Sequence, residues 1–313
     1  MSEEIAIYRM KRILVPTDFS EHSRKALQYA TFLAELGKGS ITLLHADEFD
    51  VSPLGYFKIE EESVLAYRRK KAEFFQEKFK SLQRDIVPDS VPLETLVLSG
   101  RSYKVIIEEA EREHYDLIVI ATHGLTGISS QILGSTAERV VRFSRIPVLS
   151  LRDSDPSRKV KISRVLCPTD FSPSANIALT YALSLAHELH AKLYVQHISE
   201  LESGADERDV MQVKPNLDEY YEKAEEVNAE FIFDRDIEPS NSIIRFAEDR
   251  EIDLIVMSTH GRKGLRRVYI GNNTAEVVRQ APCPVLTVTH PLHKMAFARP
   301  ATQEAQPFPI AKG

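Results

Sequence analysis

The chain has 313 residues, more than one domain usually holds, and its 43% hydrophobic and 27% charged content is that of an ordinary globular protein. A net charge of −6 speaks against nucleic acid or an anionic membrane as partner, and no run of about 18 apolar residues offers a membrane span. The two cysteines, Cys167 and Cys283, give neither a disulfide framework nor metal spacing, and the acidic start Met1-Ser2-Glu3-Glu4 does not read as a secretory leader, so a cytoplasmic location is expected.

In chain order, short apolar runs alternate with helical patterns. The first strand is expected at 12–16. A helix follows with Ala26, Leu27, Ala30, Leu33 and Ala34 on one face, Ser20 as its N-cap and Gly37 as its stop. Strands are expected at 40–47, 91–98, 116–121 and 147–151. A polar-aromatic loop at 48–60 has no functional reading. The charged stretch Glu60 to Arg84 carries an apolar stripe (Leu65, Phe75, Phe79, Leu82) that suits a helix packed on the sheet. Another helix is expected at about 135–144. Strands alternating with helices signal βαβ units and a parallel sheet.

Then the pattern starts again. Arg12-Ile-Leu-Val-Pro-Thr-Asp-Phe-Ser20 returns as Arg164-Val-Leu-Cys-Pro-Thr-Asp-Phe-Ser172. Asp116-Leu-Ile-Val119 with Thr122-His123-Gly124 returns as Asp253-Leu-Ile-Val256 with Thr259-His260-Gly261, and Ile146-Pro-Val-Leu149 as Cys283-Pro-Val-Leu286. The separation between matches narrows along the chain, so the second copy is shorter in its middle. Ser172 caps its first helix and Pro173 takes the first helical position, where no amide donor is missed. The expected organisation is a unit over 1–152, a linker over 153–159, a second unit over 160–290 and an unstructured tail over 291–313. Cys167 stands where the first copy has Val15 and reads as a buried apolar side chain. The fifth strands, at 147–151 and 284–288, would be open edges unless they pair with each other.

In open parallel sheets ligands settle beyond the carboxyl ends of the strands, where the strand order reverses. Two stretches in each copy fall at such ends. In the first they are Pro16-Thr17-Asp18 and the loop from Thr122, His123, Gly124 and Gly127 to Gly134-Ser135-Thr136. In the second they are Pro168-Thr169-Asp170 and the loop from Thr259, His260, Gly261, Arg262 and Gly264 to Gly271-Asn272-Asn273. If strands one and four are neighbours, the two loops face across one crevice. Glycines let backbone approach a ligand, and the loop enters a helix whose free amides attract phosphate. Ser135 could cap that helix and donate to a phosphate oxygen, and Asn272 could do the same in the second copy. Asp18 could accept from a ribose hydroxyl or a base amine. Asp18 and Asp170 read equally well as turn residues, the glycines as backbone requirements, and His123 and His260 as positional rather than catalytic. Arg262, Lys263, Arg266 and Arg267 favour phosphate or form a solvated face.

On these residues the chain resembles a tandem universal stress protein, with both halves covered from about residue 11 to 289. The resemblance implies two open five-stranded parallel sheets, Rossmann-like and of the HUP type. Its ATP-binding members carry G-x2-G-x9-G-(S/T). The first copy reads Ala121-x2-Gly124-x9-Gly134-Ser135, departing at the first glycine; the second reads Ser258-x2-Gly261-x9-Gly271-Asn272, departing there and at the hydroxyl. The family's aspartate falls on Asp18 and Asp170, and its adenine-contacting backbone near Ala46 and Ile198. The resemblance implies ATP, AMP or ADP as ligand, with magnesium accompanying ATP, an intrachain pseudo-dimer, and further homo-dimerisation. The leading expectation is a nucleotide-binding stress-response regulator. A scaffold with empty crevices is the alternative. A slow ATP-hydrolysing enzyme comes third, since the sequence has no G-x4-G-K-(S/T) loop and no carboxylate cluster for magnesium.

Overall fold

A computed structural model describes residues 10–48, 61–122, 134–152, 159–199, 224–259 and 270–289, with side chains from residue 66 onward in the second stretch. The first repeat runs β1 (Arg12–Pro16), α1 (Glu21–Gly37), β2 (Ser40–Asp47), α2 (Glu61–Ile86), β3 (Leu93–Ser99), α3 (Ser102–Arg112), β4 (Leu117–Ala121), α4 (Ser135–Phe143) and β5 (Val148–Leu151). The second runs β6 (Arg164–Pro168), α5 (Pro173–Glu188), β7 (Lys192–Ser199), a 3-10 turn at Ala224–Glu226, β8 (Ala229–Arg235), α6 (Pro239–Asp249), β9 (Leu254–Ser258), α7 (Asn272–Gln280) and β10 (Val285–Val288). The expected linker core at 153–158, the loop at 49–60 and the tail from 290 lie outside the described residues.

All ten strands form one sheet in the order β3-β2-β1-β4-β5-β10-β9-β6-β7-β8. Within each repeat the pairing is parallel, and the order reverses between β1 and β4 and between β6 and β9. The neighbourhood assumed for strands one and four is therefore present. The repeats meet through antiparallel β5 and β10, with Leu149 opposite Leu286. This seam obeys its own two-fold: Ser150 Oγ donates to the Val285 carbonyl at 3.1 Å, and Thr287 Oγ1 donates to the Val148 carbonyl at 3.2 Å. Each repeat thus covers the other's open edge.

Strands buried on both faces explain the near-continuous apolar runs. Alternate residues feed two cores, and each core crosses the seam. Ile13, Val15, Leu117 and Leu149 join Val165, Cys167, Leu254 and Leu286 against α1, α2 and α5. Leu14, Ile118 and Val148 join Leu166, Ile255 and Val285 against α3, α4, α6 and α7. Phe75, Phe79 and Leu82 of α2 are buried in the first core, as the stripe required; the Leu65 side chain lies outside the description.

The helix ends confirm part of the reading and correct part. Ser20 and Ser172 are N-caps, accepting from the Ser23 and Ala175 amides, and Pro173 is the first helical residue. Gly37, however, does not stop α1. The helix includes it, and Lys38 takes the left-handed conformation at φ 51°, its N–H returning to Ala34 and Glu35 carbonyls. Those backbone bonds offset the strain that glycine would have avoided. The repeated aspartates of the Asp-Leu-Ile-Val motif are also structural. Asp116 Oδ2 accepts from the Lys11 and Arg12 amides, and Asp253 Oδ2 from the Ser163 and Arg164 amides, tying the strands at the edge opposite the crevices.

Candidate functional site

The crevice of the first repeat lies above β1, between β4 and the longer β2. β1 pairs with β2 only as far as Pro16 with Leu44, whereas β2 continues to Asp47. Leu44 uses its carbonyl to hold the Thr17 amide at 2.8 Å, while Asp47 turns its carbonyl to the Gly100 amide on the β3 side. Strand alternation then directs the N–H and C=O of Ala46 over the end of β1. The second repeat repeats this geometry: Gln196 holds the Thr169 amide, Ser199 faces Asp236, and Ile198 directs its backbone over β6.

The turn after β1 is tightly built. Asp18 Oδ1 accepts from both the amide and the hydroxyl of Ser20, and Thr17 Oγ1 accepts the Phe19 amide. Phe19 itself has φ 64°, and its counterpart Phe171 has φ 57°. A bulky residue in the left-handed region costs on the order of 1–3 kcal/mol, and such strain gathers at functional sites. Asp170 Oδ1 accepts the Ser172 amide in the same way. The turn role considered for both aspartates is therefore present, and it fixes each carboxylate at the crevice mouth.

Two residues that the sequence reading passed over support this turn. His45 Nδ1 meets the Thr17 carbonyl at 2.9 Å, and His197 Nδ1 meets the Thr169 carbonyl at 2.8 Å. A carbonyl only accepts, so Nδ1 carries the proton in both. The rings lie against Phe19 and Phe171, with centroids 4.9 Å apart in each pair. Burial holds the His45 imidazole below its ordinary pKa, against the opposing Thr17 hydrogen bond and the nearby Asp47 and Asp18 carboxylates. The signal was in the sequence: both histidines occupy the same place in the repeat, one residue before Ala46 and Ile198.

Across the crevice, β4 ends at Ala121, and the following loop closes on itself where Gly134 N–H donates to the Thr122 carbonyl at 2.7 Å. Gly271 N–H donates to the Thr259 carbonyl at 2.8 Å in the second repeat. Here the copies part. A Cβ on Gly134 would stand 2.7 Å from the Thr122 oxygen, while one on Gly271 would stand 3.5 Å from the Thr259 oxygen. Glycine is sterically required only in the first.

The capping role expected of Ser135 and Asn272 is corrected. Gly134 and Gly271 are the N-caps, Ser135 and Asn272 are already helical, and among the described residues no side chain caps either helix. A glycine cap leaves the first-turn amides of α4 and α7 without a side-chain oxygen, an arrangement suited to an external anion. Ser135, Asn272 and Asn273 are exposed and Thr136 is half-buried at these ends. Thr122 is buried and donates its hydroxyl to the Leu151 carbonyl, so its side chain supports the β4–β5 edge. Thr17 is likewise buried, Pro16 is buried and Pro168 half-buried at the strand ends, and Thr259 is buried with its amide on Val288. His123, Gly124, Gly127, His260, Gly261, Arg262 and Gly264 lie outside the described residues, as do Lys263, Arg266 and Arg267. Cys167 and Cys283 are free thiols, each pushed up to about 12 by burial. Burial thus disfavours the thiolate in both.

With this geometry in place, comparison decides the family. The profile of the universal stress protein family matches residues 10–152 and again 161–289. The chain belongs to the universal stress protein family. A universal stress protein of Synechocystis is 25% identical over 299 residues, which is 89% of this chain and 99% of the relative. A universal stress protein of Methanocaldococcus jannaschii is 28% identical over 153 residues, 45% of this chain and 94% of its own. The crystal structure of a universal stress protein from Archaeoglobus fulgidus shares the fold, with a TM-score of 0.69, 24% identity, and coverage of 90% of this chain and 99% of that one. The tandem architecture of this universal stress protein is thus shared with known relatives over about nine-tenths of the chain. Among the described residues no helix is long and apolar enough to cross a membrane, and no group of three histidine, cysteine or acidic side chains could hold a metal.

Proposed function

We propose that this universal stress protein is a nucleotide-binding regulator, with an adenine nucleotide (ATP, AMP or ADP) settling at the carboxyl edge of each repeat. The observation that carries the reading is the pairing of two backbone features across one crevice. The N–H and C=O of Ala46, and of Ile198, project past the end of the central strand and match the donor and acceptor edge of adenine. Opposite them stand helix N-termini capped only by Gly134 and Gly271, where phosphate replaces the missing side-chain cap. Asp18 and Asp170, in the turns after β1 and β6, are the candidates to accept from a ribose hydroxyl. Ser135 with Thr136, and Asn272 with Asn273, supply side-chain donors at the phosphate end. Magnesium would arrive with ATP, held by the phosphates rather than by a carboxylate cage.

Regulation follows from what the ligand touches. A phosphate on the α4 amides and a base on the β2 backbone bridge the two loops, so occupancy orders the crevice and presents a different surface to a partner, including a second copy of the chain. The cytoplasm is the compartment this proposal assumes.

The test is to denature the purified chain and identify any small molecule released, then to titrate the emptied protein with ATP. A released adenine nucleotide, or a rise in melting temperature at millimolar ATP, is expected, since mass action requires a shift for any ligand well above its dissociation constant. The scaffold reading draws on one observation: Asp18 and Gly134 each already serve an internal structural need. It prevails if nothing is released and the melting temperature does not move.

A further inference from the structure

The two crevices differ in how firmly the strand beside them is held. β2 and β7 both run past the end of the central strand, so Ala46 and Ile198 lie in overhangs laddered on one side only. In the first repeat the overhang is fastened three times. The Asp47 carbonyl accepts the Gly100 amide at 3.0 Å on the β3 side. Glu48 Oε1 accepts the Ser102 amide at 2.9 Å and the Ser102 hydroxyl at 2.7 Å, which ties the next residue to the first turn of α3. From the opposite face of the sheet, Lys71 of α2 places its Nζ 2.5 Å from Asp47 Oδ2.

Both partners of that ion pair are largely buried, with side chains 14% and 7% exposed, and the ammonium also lies 5.6 Å from the centre of the Tyr67 ring. A buried ion pair adds little net stability, because desolvation offsets most of its attraction. What it fixes is geometry, since separating the two charges inside the protein would leave each uncompensated. α2 also lays Phe75 on the His45 ring, with centroids 4.5 Å apart, immediately before Ala46. At the second overhang residue type excludes the same ion pair. Ser199 pairs with Arg235 of β8 as Asp47 pairs with Ser99 of β3, and serine carries no charge. Its hydroxyl donates to the Asp234 carbonyl at 3.4 Å, and its carbonyl accepts the Asp236 amide at 3.3 Å.

We infer that Lys71 is a positioning residue of the first crevice, acting through Asp47 to hold the Ala46 backbone where it meets the base, and that this makes the first crevice the tighter of the two adenine nucleotide sites. The N–H and C=O of Ala46 shift together with any movement of the strand end. An edge already ordered before binding spares the complex the entropy of ordering it. The inference rests on the nucleotide reading above and adds to it which crevice fills first, and why.

The experiment titrates the emptied full-length chain with ATP by calorimetry. Two classes of site with unequal affinity are expected. Asp47→Ser, which gives the first repeat the residue of the second, should weaken the tight class at least about tenfold, the entropic cost of fixing one backbone residue, and leave the weak class unchanged. Equal affinity at two sites of the wild type, an unchanged tight class in the folded variant, or a loss confined to the weak class overturns this inference and leaves the nucleotide reading standing. If ATP does not bind at all, both fall. Should Asp47→Ser fail to fold, Asp47→Leu combined with Lys71→Met removes both charges, an exchange that often leaves stability equal or raised. There the tight class should weaken while the melting temperature of the unliganded protein holds; affinity and melting temperature falling together would make the pair a structural tie and overturn the assignment.

Discussion

The two repeats share a backbone plan to a fine level and yet present different chemistry at the same place. Their left-handed residues coincide in pairs, Phe19 with Phe171, Lys38 with His190, and His114 with Glu251. The histidine support under the turn is duplicated. The differences lie near the carboxyl ends of the strands: Gly134 is sterically compelled and Gly271 is not, and the apolar cluster of Leu44, Leu98 and Val105 is replaced in the second repeat by the hydrogen-bonded Gln196, Asp234 and Ser242. Duplication kept what folding needs and left the surroundings of the crevices free to diverge.

That comparison can be broken most forcefully in the cores. Leu14→Ala and Leu166→Ala remove equivalent, fully buried side chains. Each should cost about 2–5 kcal/mol in urea unfolding, with similar losses in both repeats. Because both cores cross the seam, unfolding should remain a single transition in each variant, and two separated transitions would show the repeats to be independent.

Gly134→Ala forces a Cβ against the Thr122 carbonyl and should cost about 1–3 kcal/mol, whereas Gly271→Ala should stay within about 0.5 kcal/mol. Equal losses measured by chemical denaturation would erase the asymmetry. The caps come next. Ser172→Ala should cost about 1 kcal/mol, and Ser20→Ala somewhat more, because Ser20 Oγ also bonds Asp18 Oδ1 at 2.5 Å. Thermal melting of the two variants ranks them directly.

The smallest effect concerns pH. Burial lowers the folded pKa of His45, so the folded chain resists a proton that the unfolded chain accepts. The His45 contribution is intact above the unfolded value near 6.5 and is lost as pH falls from there toward the lower folded value. Denaturant stability followed from about pH 8 to about pH 5 should therefore decline, and His45→Gln should flatten part of that decline. An unchanged slope would show that His45 is not a source of the pH dependence.

Much of the site was legible because the repeat marked it twice. Thr17-Asp18 and Thr169-Asp170, following an apolar run and preceding a capped helix, fit a strand-to-helix turn as well as they fit a ligand contact. Gly134 and Gly271 could be read as backbone requirements, which the packing bears out at Gly134 but not at Gly271. The cap was misassigned to Ser135 because serine is the better capping side chain in isolation; the 2.7 Å return of the Gly134 amide to Thr122 places the helix boundary one residue earlier. Lys38 took the place expected for Gly37 because two backbone carbonyls await its amide.

The sequence by itself determined the duplication, the strand and helix alternation and the residues at the strand ends, since these depend on local periodicity and on residue types that few conformations accept. The tertiary structure brought β5 against β10, as the open fifth strands required, and it alone decided that β1 lies between β2 and β4 and that Gln196, Asp234 and Ser242 meet. Those residues are far apart in the chain, and only the lateral order of strands and the docking of α6 bring their side chains within bonding distance.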